Sequence, residues 1–158
     1  MLEFIKGKSI ILRPLLESDL NESYLSWLND PEVNSYSRRR LYPHTSEQMK
    51  QFFMDSVSEK QMVLGIILID SRQHIGNISL AGISWIERCA NVDILIGEKS
   101  VWGKGFGSEA IQLIQDHAFS MLNMHHLSAG SSNPSFIKIM QNLKWENDGI
   151  FKSYFFAV

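Results

Sequence analysis

The sequence predicts an α+β domain built on a mixed, mostly antiparallel sheet flanked by helices, and three observations carry that expectation. Between residues 62 and 97 three apolar, β-branched runs follow one another, "MVLGIILID", "HIGNISLAGISW" and "NVDILIG", with connections too short for a crossover helix. Segments with apolar residues three and four apart lie on both sides of that block. The chain has 158 residues, 44% hydrophobic and 20% charged, which fits one globular domain over 1–158 with its own core.

The elements follow in order. "SIILRP" (9–14) reads as a first strand ended by Pro14. Leu20, Tyr24, Trp27 and Leu28 have helical spacing behind Ser18 and Asp19 as caps, and Asp30-Pro31 stops that helix at about residue 29. In "HTSEQMKQFFMDSV" (44–57), Thr45 and Gln48 have capping-box spacing, and Met49, Phe52, Phe53 and Val57 form the expected apolar face. Three antiparallel strands come next. Beyond a glycine-rich stretch, Ala110, Ile111, Ile114, Ala118, Met121 and Leu122 mark a helix over about 106–122. "HHLSAG" (125–130) is a short strand, and Asn133-Pro134 begins a helix whose inner face is Phe136, Ile137, Met140 and Leu143. "GIFKSYFFAV" (149–158) is expected to be a last strand, giving the order β-α-α-β-β-β-α-β-α-β.

Charge and composition exclude several function classes. Fifteen Lys and Arg against seventeen Asp and Glu leave a net charge of −2, so no global field draws nucleic acid or an anionic membrane. Lys6, Lys8, Arg13 and Glu17 break the N-terminal apolar residues, so neither a signal peptide nor a membrane span is read there and a cytoplasmic location is the expectation. The single Cys89 permits no internal disulfide, and His125 and His126, adjacent on a strand, face opposite ways. His44, His74 and His117 show no ligand spacing, so no metal is expected.

The stretch "VWGKGFGSEAIQLIQDHAF" (101–119) sets Gly103, Gly105 and Gly107 at alternate positions before a helix. The spacing fits neither a Walker loop, which needs Gly-Lys-Ser or Gly-Lys-Thr after four residues, nor the dinucleotide fingerprint, which needs G-x-G-x-x-G in a parallel unit. Two readings stay open: a bare helix N-terminus that holds a pyrophosphate through main-chain N–H groups with Lys104 adding charge, or a tight turn that only packs helix on sheet.

"WGKGFG" (102–107) resembles the diagnostic motif of the GNAT superfamily of acyl-CoA N-acyltransferases, Arg or Gln, two residues, Gly, any residue, then Gly or Ala. Trp102 stands in its first place, as in the branch that includes ribosomal-protein N-terminal acetyltransferases. The likeness covers the element order over 9–158, including "GSSNPSFIKIMQNLKWENDGIF", with Asn133 and Trp145 at the family's Asn-to-aromatic separation. It implies acetyl-CoA as acyl donor, with Ile94, Leu95 and Ile96 pairing with the pantetheine arm, Gly103, Lys104, Gly105, Phe106, Gly107 and Ser108 on the pyrophosphate, and Trp102 and Asn133 beside them. A strand bulge around Ile94–Ile96 is expected to free an N–H for the oxyanion.

Amine attack on a thioester needs a proton removed from the amine and one returned to the thiolate. By resemblance, Asn91 stands where family members carry a glutamate base, Met140 replaces the tyrosine acid, and Phe136 replaces a serine. Asp93, two residues from Asn91 and so on the same strand face, is the candidate base, against the alternative of a solvated carboxylate; His44 is the reserve. The tract "SWLNDPEVNSYSRRRLYPHTSEQ" (26–48) resembles acceptor regions of amino-sugar-nucleotide acetyltransferases, and less specifically of protein N-terminal ones. It makes Trp27, Tyr36 and Arg38 candidate acceptor contacts, with Arg39, Arg40 and Tyr42 in the same tract, unless the tract is a solvated loop over a core Trp27. The expected partner is a small-molecule amine; the rival function is a degenerate acyl-CoA-binding protein. Family members continue into a seventh strand that this sequence lacks, so "SYFFAV" implies an exposed edge or a homodimer that covers it.

Overall fold

The computed structural model describes residues 2–151. The chain forms β1 (Ile5–Lys6), β2 (Ile10–Pro14), α1 (Glu22–Asn29), α2 (Ser46–Met54), β3 (Val57–Ser58), β4 (Gln61–Leu68), β5 (His74–Ser84), β6 (Cys89–Ile96), α3 (Phe106–Ser120), β7 (His126–Ser128) and α4 (Pro134–Asn142). Single 3-10 turns occupy Glu17–Asp19, Arg38–Leu41 and Lys99–Val101. The sheet order is β1-β2-β4-β5-β6-β7, with β3 also on β4. Every pairing is antiparallel except β6 with β7, so the expected mixed α+β architecture holds.

One face of the sheet carries the main core, where Leu12, Leu64, Ile78, Leu80 and Val92 pack against Ala110, Ile111, Ile114 and Ala118 of α3. The period-two alternation of strands puts Asn77 on the opposite face, where its amide donates 2.8 Å to the Tyr24 hydroxyl of α1. That face holds a second cluster of Tyr24, Trp27 and Met49. Trp27 reaches its place because Gly97 has no side chain: a Cβ there would sit 2.0 Å from the indole.

Local signals fix several helix starts. Thr45 and Gln48 form the capping box, and Asn133 caps α4 by accepting from the Ser135 N–H with Pro134 at the first helical position. Helix α1 starts later than its apolar spacing suggests, because Asn21 caps it and Asp19 is committed elsewhere. Only Met49 of the expected α2 face is buried; Val57 belongs to β3, and Phe52 is more than one-third exposed. On α3 the fully buried face ends at Ala118; Leu122, just past the helix, packs half-buried against the core, whereas Met121 is 72% exposed. On α4 Met140 is buried whereas Ile137 is exposed. Strands β1 and β3, two residues each, are additions that no period could announce. Gly149, Ile150 and Phe151 are not in a strand, and the rest of the expected last strand, with the edge or dimer it implied, lies outside the described residues.

Asp19 is buried with Arg13: its carboxylate accepts from both terminal nitrogens, at 2.7 and 2.9 Å, and from the Leu16 N–H at 2.7 Å. Burial pushes the Asp19 carboxyl up, but the Arg13 guanidinium and the Leu16 amide outweigh it and hold it below the ordinary carboxylate range. A depressed carboxyl stabilises the fold above its unfolded value of about 3.9 and loses that contribution as pH falls through the lower folded value. Asp19→Ala, which strands a buried guanidinium, is expected to cost about 3–5 kcal/mol in urea unfolding. The variant should also lose Asp19's share of the wild type's fall in stability, which begins below about pH 4 and ends once the folded carboxyl is protonated at still lower pH.

Candidate active site

The site begins where the sheet opens. β7 pairs with β6 only at Cys89, Ala90 and Asn91, so among the described residues β6 has β5 as its one neighbour from Val92 to Ile96. The Gly97 N–H donates to the Ile75 carbonyl at 3.0 Å, in register with the pairs Asn77 to Leu95 and Ser79 to Asp93. By the alternation of an antiparallel ladder, main-chain groups of Leu95 and Asp93 face β5, and those of Ile94 and Ile96 face the open edge. The Ile96 carbonyl accepts from the Trp102 indole at 2.9 Å, as this assignment requires. The bulge expected at Ile94–Ile96 is not there. The register shift falls between Ala81 and Ser84, and the free edge comes instead from the shortness of β7.

The edge leads into the glycine turn. Gly105 is the N-cap of α3 with φ +88°, and Gly103 has φ +74°, conformations in which a Cβ is strained. A Cβ at either would meet nothing within 4 Å, so the space over the turn is open and glycine serves backbone shape there, not packing. The first helical bond is Glu109 N–H to Gly105 carbonyl, which leaves the N–H groups of Phe106, Gly107 and Ser108 without helical acceptors. With the helix dipole, these make a seat for a phosphate, and Lys104 is exposed beside it.

On the α1 and α2 side of the same strand lies a cavity of about 240 Å³, with Tyr24, Asn77, Asp93, Ile94 and Leu95 in its wall. Arg39 and His44 line its outer part. Leu28 and Arg39 also line a second cavity of about 290 Å³ that includes Arg40 and Tyr42, so the two are neighbours along one path. Asp93 is exposed and is the one carboxylate in the walls of either cavity. His44 is tied to the Arg39 carbonyl through Nε2 at 3.0 Å. A carbonyl only accepts, so that nitrogen is the donor.

Of the residues singled out in the sequence, Asp93, Ile94 and Leu95 meet at the inner cavity, while Ile96, Trp102 and the 103–108 turn continue the open edge. Asn133 is at the start of α4, its side-chain oxygen occupied by the cap. The acceptor candidates are scattered. Trp27 is 7% exposed and packs in the second cluster, outside both cavity walls. Tyr36 is exposed and lines neither cavity, and Arg39 rather than Arg38 lines both. In a 3-10 turn successive residues point about 120° apart, so of three consecutive arginines one faces the inner cavity. Tyr24 and Asn77 were missed, although a lone asparagine inside the apolar run "HIGNISL" signals a buried polar group that needs a partner. Among the described residues no group of three His, Cys, Asp or Glu is placed to hold a metal ion, and no helix is long and apolar enough to cross a membrane.

Comparison with known proteins agrees with the fold. A family model described as an acetyltransferase (GNAT) domain matches residues 9–146. An uncharacterized N-acetyltransferase p20 of Bacillus licheniformis is 27% identical, the match covering 97% of this chain and 88% of that protein. The spermidine N(1)-acetyltransferase of Vibrio cholerae is 24% identical over 95% of this chain and 86% of its own. A crystal structure of spermidine N-acetyltransferase from Vibrio cholerae in complex with CoA and spermine superposes with a TM-score of 0.82 at 21% identity, covering 95% of this chain and 88% of that one. With most of its length matched by the family model and its fold shared with a solved member, the chain belongs to the GNAT acetyltransferase family and is an acyl-CoA-dependent N-acetyltransferase.

Proposed function

We propose that the protein transfers the acetyl group of acetyl-CoA to the primary amine of a small molecule that carries an anionic group, such as an amino-sugar nucleotide, by direct attack in a ternary complex. One observation carries the reading: Ile94 and Leu95 belong both to the strand that leads to the phosphate seat and to the wall of the cavity with Asp93. Donor and acceptor therefore reach one point from two sides. The diphosphate lies on the N–H groups of 106–108, and the thiol arm follows the open edge of β6. The amine lone pair attacks the thioester carbon, the C–N bond forms, and the C–S bond breaks with its electron pair on sulfur. Asp93 takes the ammonium proton, directly or through a water.

The charge of the path favours an anionic acceptor over a polyamine. Among the described residues no ion pair engages Arg39, and Arg40 joins it at the outer cavity, whereas Asp93 is the single carboxylate. Two guanidiniums repel a polycation and pair with phosphate, and Tyr42 offers a ring for a base or sugar.

A thiol-release assay with acetyl-CoA over amino-sugar nucleotides, peptide N-termini and polyamines tests the reading. Turnover is expected with the phosphate-bearing amine, and Arg39→Gln should raise its KM about tenfold, the worth of one charge-assisted contact. Faster turnover of spermidine would overturn the acceptor assignment. Acetyl-CoA binding with no turnover on any amine would make the protein a ligand-binding relic.

The residue assignments are tested separately. Asp93→Asn is expected to lower the rate about 10²-fold while calorimetry finds acetyl-CoA binding intact, and an unchanged rate would leave His44 or water as the base. Gly105→Glu should abolish acetyl-CoA binding, since it sets a negative charge over the seat and strains a positive φ. Gly107→Ala should bind normally, because its Cβ meets only ordinary contacts at 3.6–3.9 Å.

A further inference from the structure

The polar groups between α1 and β5 form a directed chain that the transfer reaction as described does not use. His74 and Asn77 join through Nε2 and Oδ1 at 2.8 Å, and the Asn77 amide nitrogen lies 2.8 Å from the Tyr24 oxygen. An amide oxygen accepts only, so His74 donates from Nε2; the amide nitrogen donates only, so the Tyr24 oxygen accepts. The Tyr24 hydrogen therefore points away from Asn77. Packing fixes the rest: Tyr24 is 1% exposed, with the Trp27 and His74 rings at 5.8 and 5.7 Å. Tyr24 and Asn77 both line the inner cavity, and Asn77 is the direct cross-strand partner of Leu95. The hydroxyl, held beside Asn77, thus lies in the cavity wall level with Leu95 of β6.

We propose that Tyr24 donates its hydroxyl hydrogen bond to the carbonyl oxygen of the acyl group during transfer, and that Asn77 and His74 aim it. The inference rests on the transferase reading and adds a group on α1 that touches the reacting carbonyl. No proton moves in this step. As the amine adds, the carbonyl oxygen gains negative charge, the Tyr24 bond to it shortens, and the bond relaxes when the C–S bond breaks. An acid role fits worse. Burial pushes the Tyr24 phenol above its ordinary value, against the Asn77 bond that lowers it, so giving its proton to a thiolate of pKa about 8.5 is uphill. A donor that keeps its proton and is held in place before the charge forms suits an oxyanion. Burial also pushes the His74 imidazole below its ordinary range, and because the Asn77 oxygen only accepts, Nε2 is the donor whatever the ring's charge, so the direction of the chain is fixed.

Two measurements test this, one of them without turnover. Tyr24→Phe keeps the ring and its contacts; it should lower kcat about 10²-fold with the acceptor KM within twofold, the loss expected for one oxyanion donor. Asn77→Ser, which frees the hydroxyl from its aim, should lower kcat about tenfold in the same pattern. By calorimetry the wild type should bind acetyl-CoA several-fold tighter than CoA, and Tyr24→Phe should erase that difference while CoA affinity stays the same. A raised KM with unchanged kcat would put the hydroxyl on the acceptor and overturn the proposal. An acetyl-CoA preference that survives in Tyr24→Phe would overturn it as well. Absence of wild-type turnover across the amine panel refutes the transferase reading alone, because the acetyl-CoA against CoA comparison still decides the role of Tyr24.

Discussion

The early departure of β7 from β6 is the constraint on which the rest of the site depends. Three residues pair in parallel, and then "AGSSN" carries the chain off the sheet into α4, with Asn133 and Pro134 setting the new direction. Had β7 run on, the main-chain groups of Ile94 and Ile96 would be spent on a strand; because it leaves, they face an opening. The cost is contained by packing. Trp145 donates to Gln115 at 2.6 Å and anchors the end of α4 to α3, and Met140 closes the core beneath, so the split stays propped open without exposing the core. The same helix, α3, brings its bare N-terminus to the end of β6, which joins a polar strand edge to an anion seat in one groove.

The second requirement is a rigid floor on the other face, and here buried polar groups do what apolar packing alone cannot. The Arg13 to Asp19 pair fixes the segment that leads into α1, and the His74, Asn77 and Tyr24 chain ties that helix to β5. Each bond is worth about 1 kcal/mol net, yet breaking one strands a desolvated partner at higher cost, so the arrangement has few alternatives. Direction is thereby imposed on the Tyr24 hydroxyl in the cavity wall. At the rim, Lys99 pairs with Asp30 at 2.9 Å and Glu32 at 2.8 Å, holding the loop after α1 against the segment before the glycine turn. These carboxylates raise the Lys99 ammonium above its ordinary value, with Glu32 the larger cause, so the tether is charged throughout the physiological range.

What was legible in the sequence is what depends on near neighbours. The strand meander, the Thr45 to Gln48 box, the Asn133-Pro134 start and the glycine turn each need only a few adjacent residues, and each stands where their chemistry puts it. Asp19 looked like a cap and is an ion-pair partner, because Arg13 lies six residues away on a strand and local spacing has no view of it. Trp27 reads equally as a ligand platform and as core until Gly97, seventy residues on, is seen to leave room for it. Arg38 and Arg39 are indistinguishable as a run; only the angle of a 3-10 turn separates them. The open edge was expected from a bulge and arises from a missing strand partner, a fact of topology that no window of sequence contains.

The central claim is that acyl-CoA lies along the unpaired edge of β6 and on the N-terminus of α3. Amide hydrogen exchange with and without acetyl-CoA tests this most directly, since it reads the very N–H groups involved. The account predicts slowed exchange at Ile94, Ile96 and residues 105–108, with little change at Leu95 and Asp93, whose amides already face β5. Protection centred elsewhere, or binding that leaves Ile94 and Ile96 exchanging as in the free protein, would contradict it.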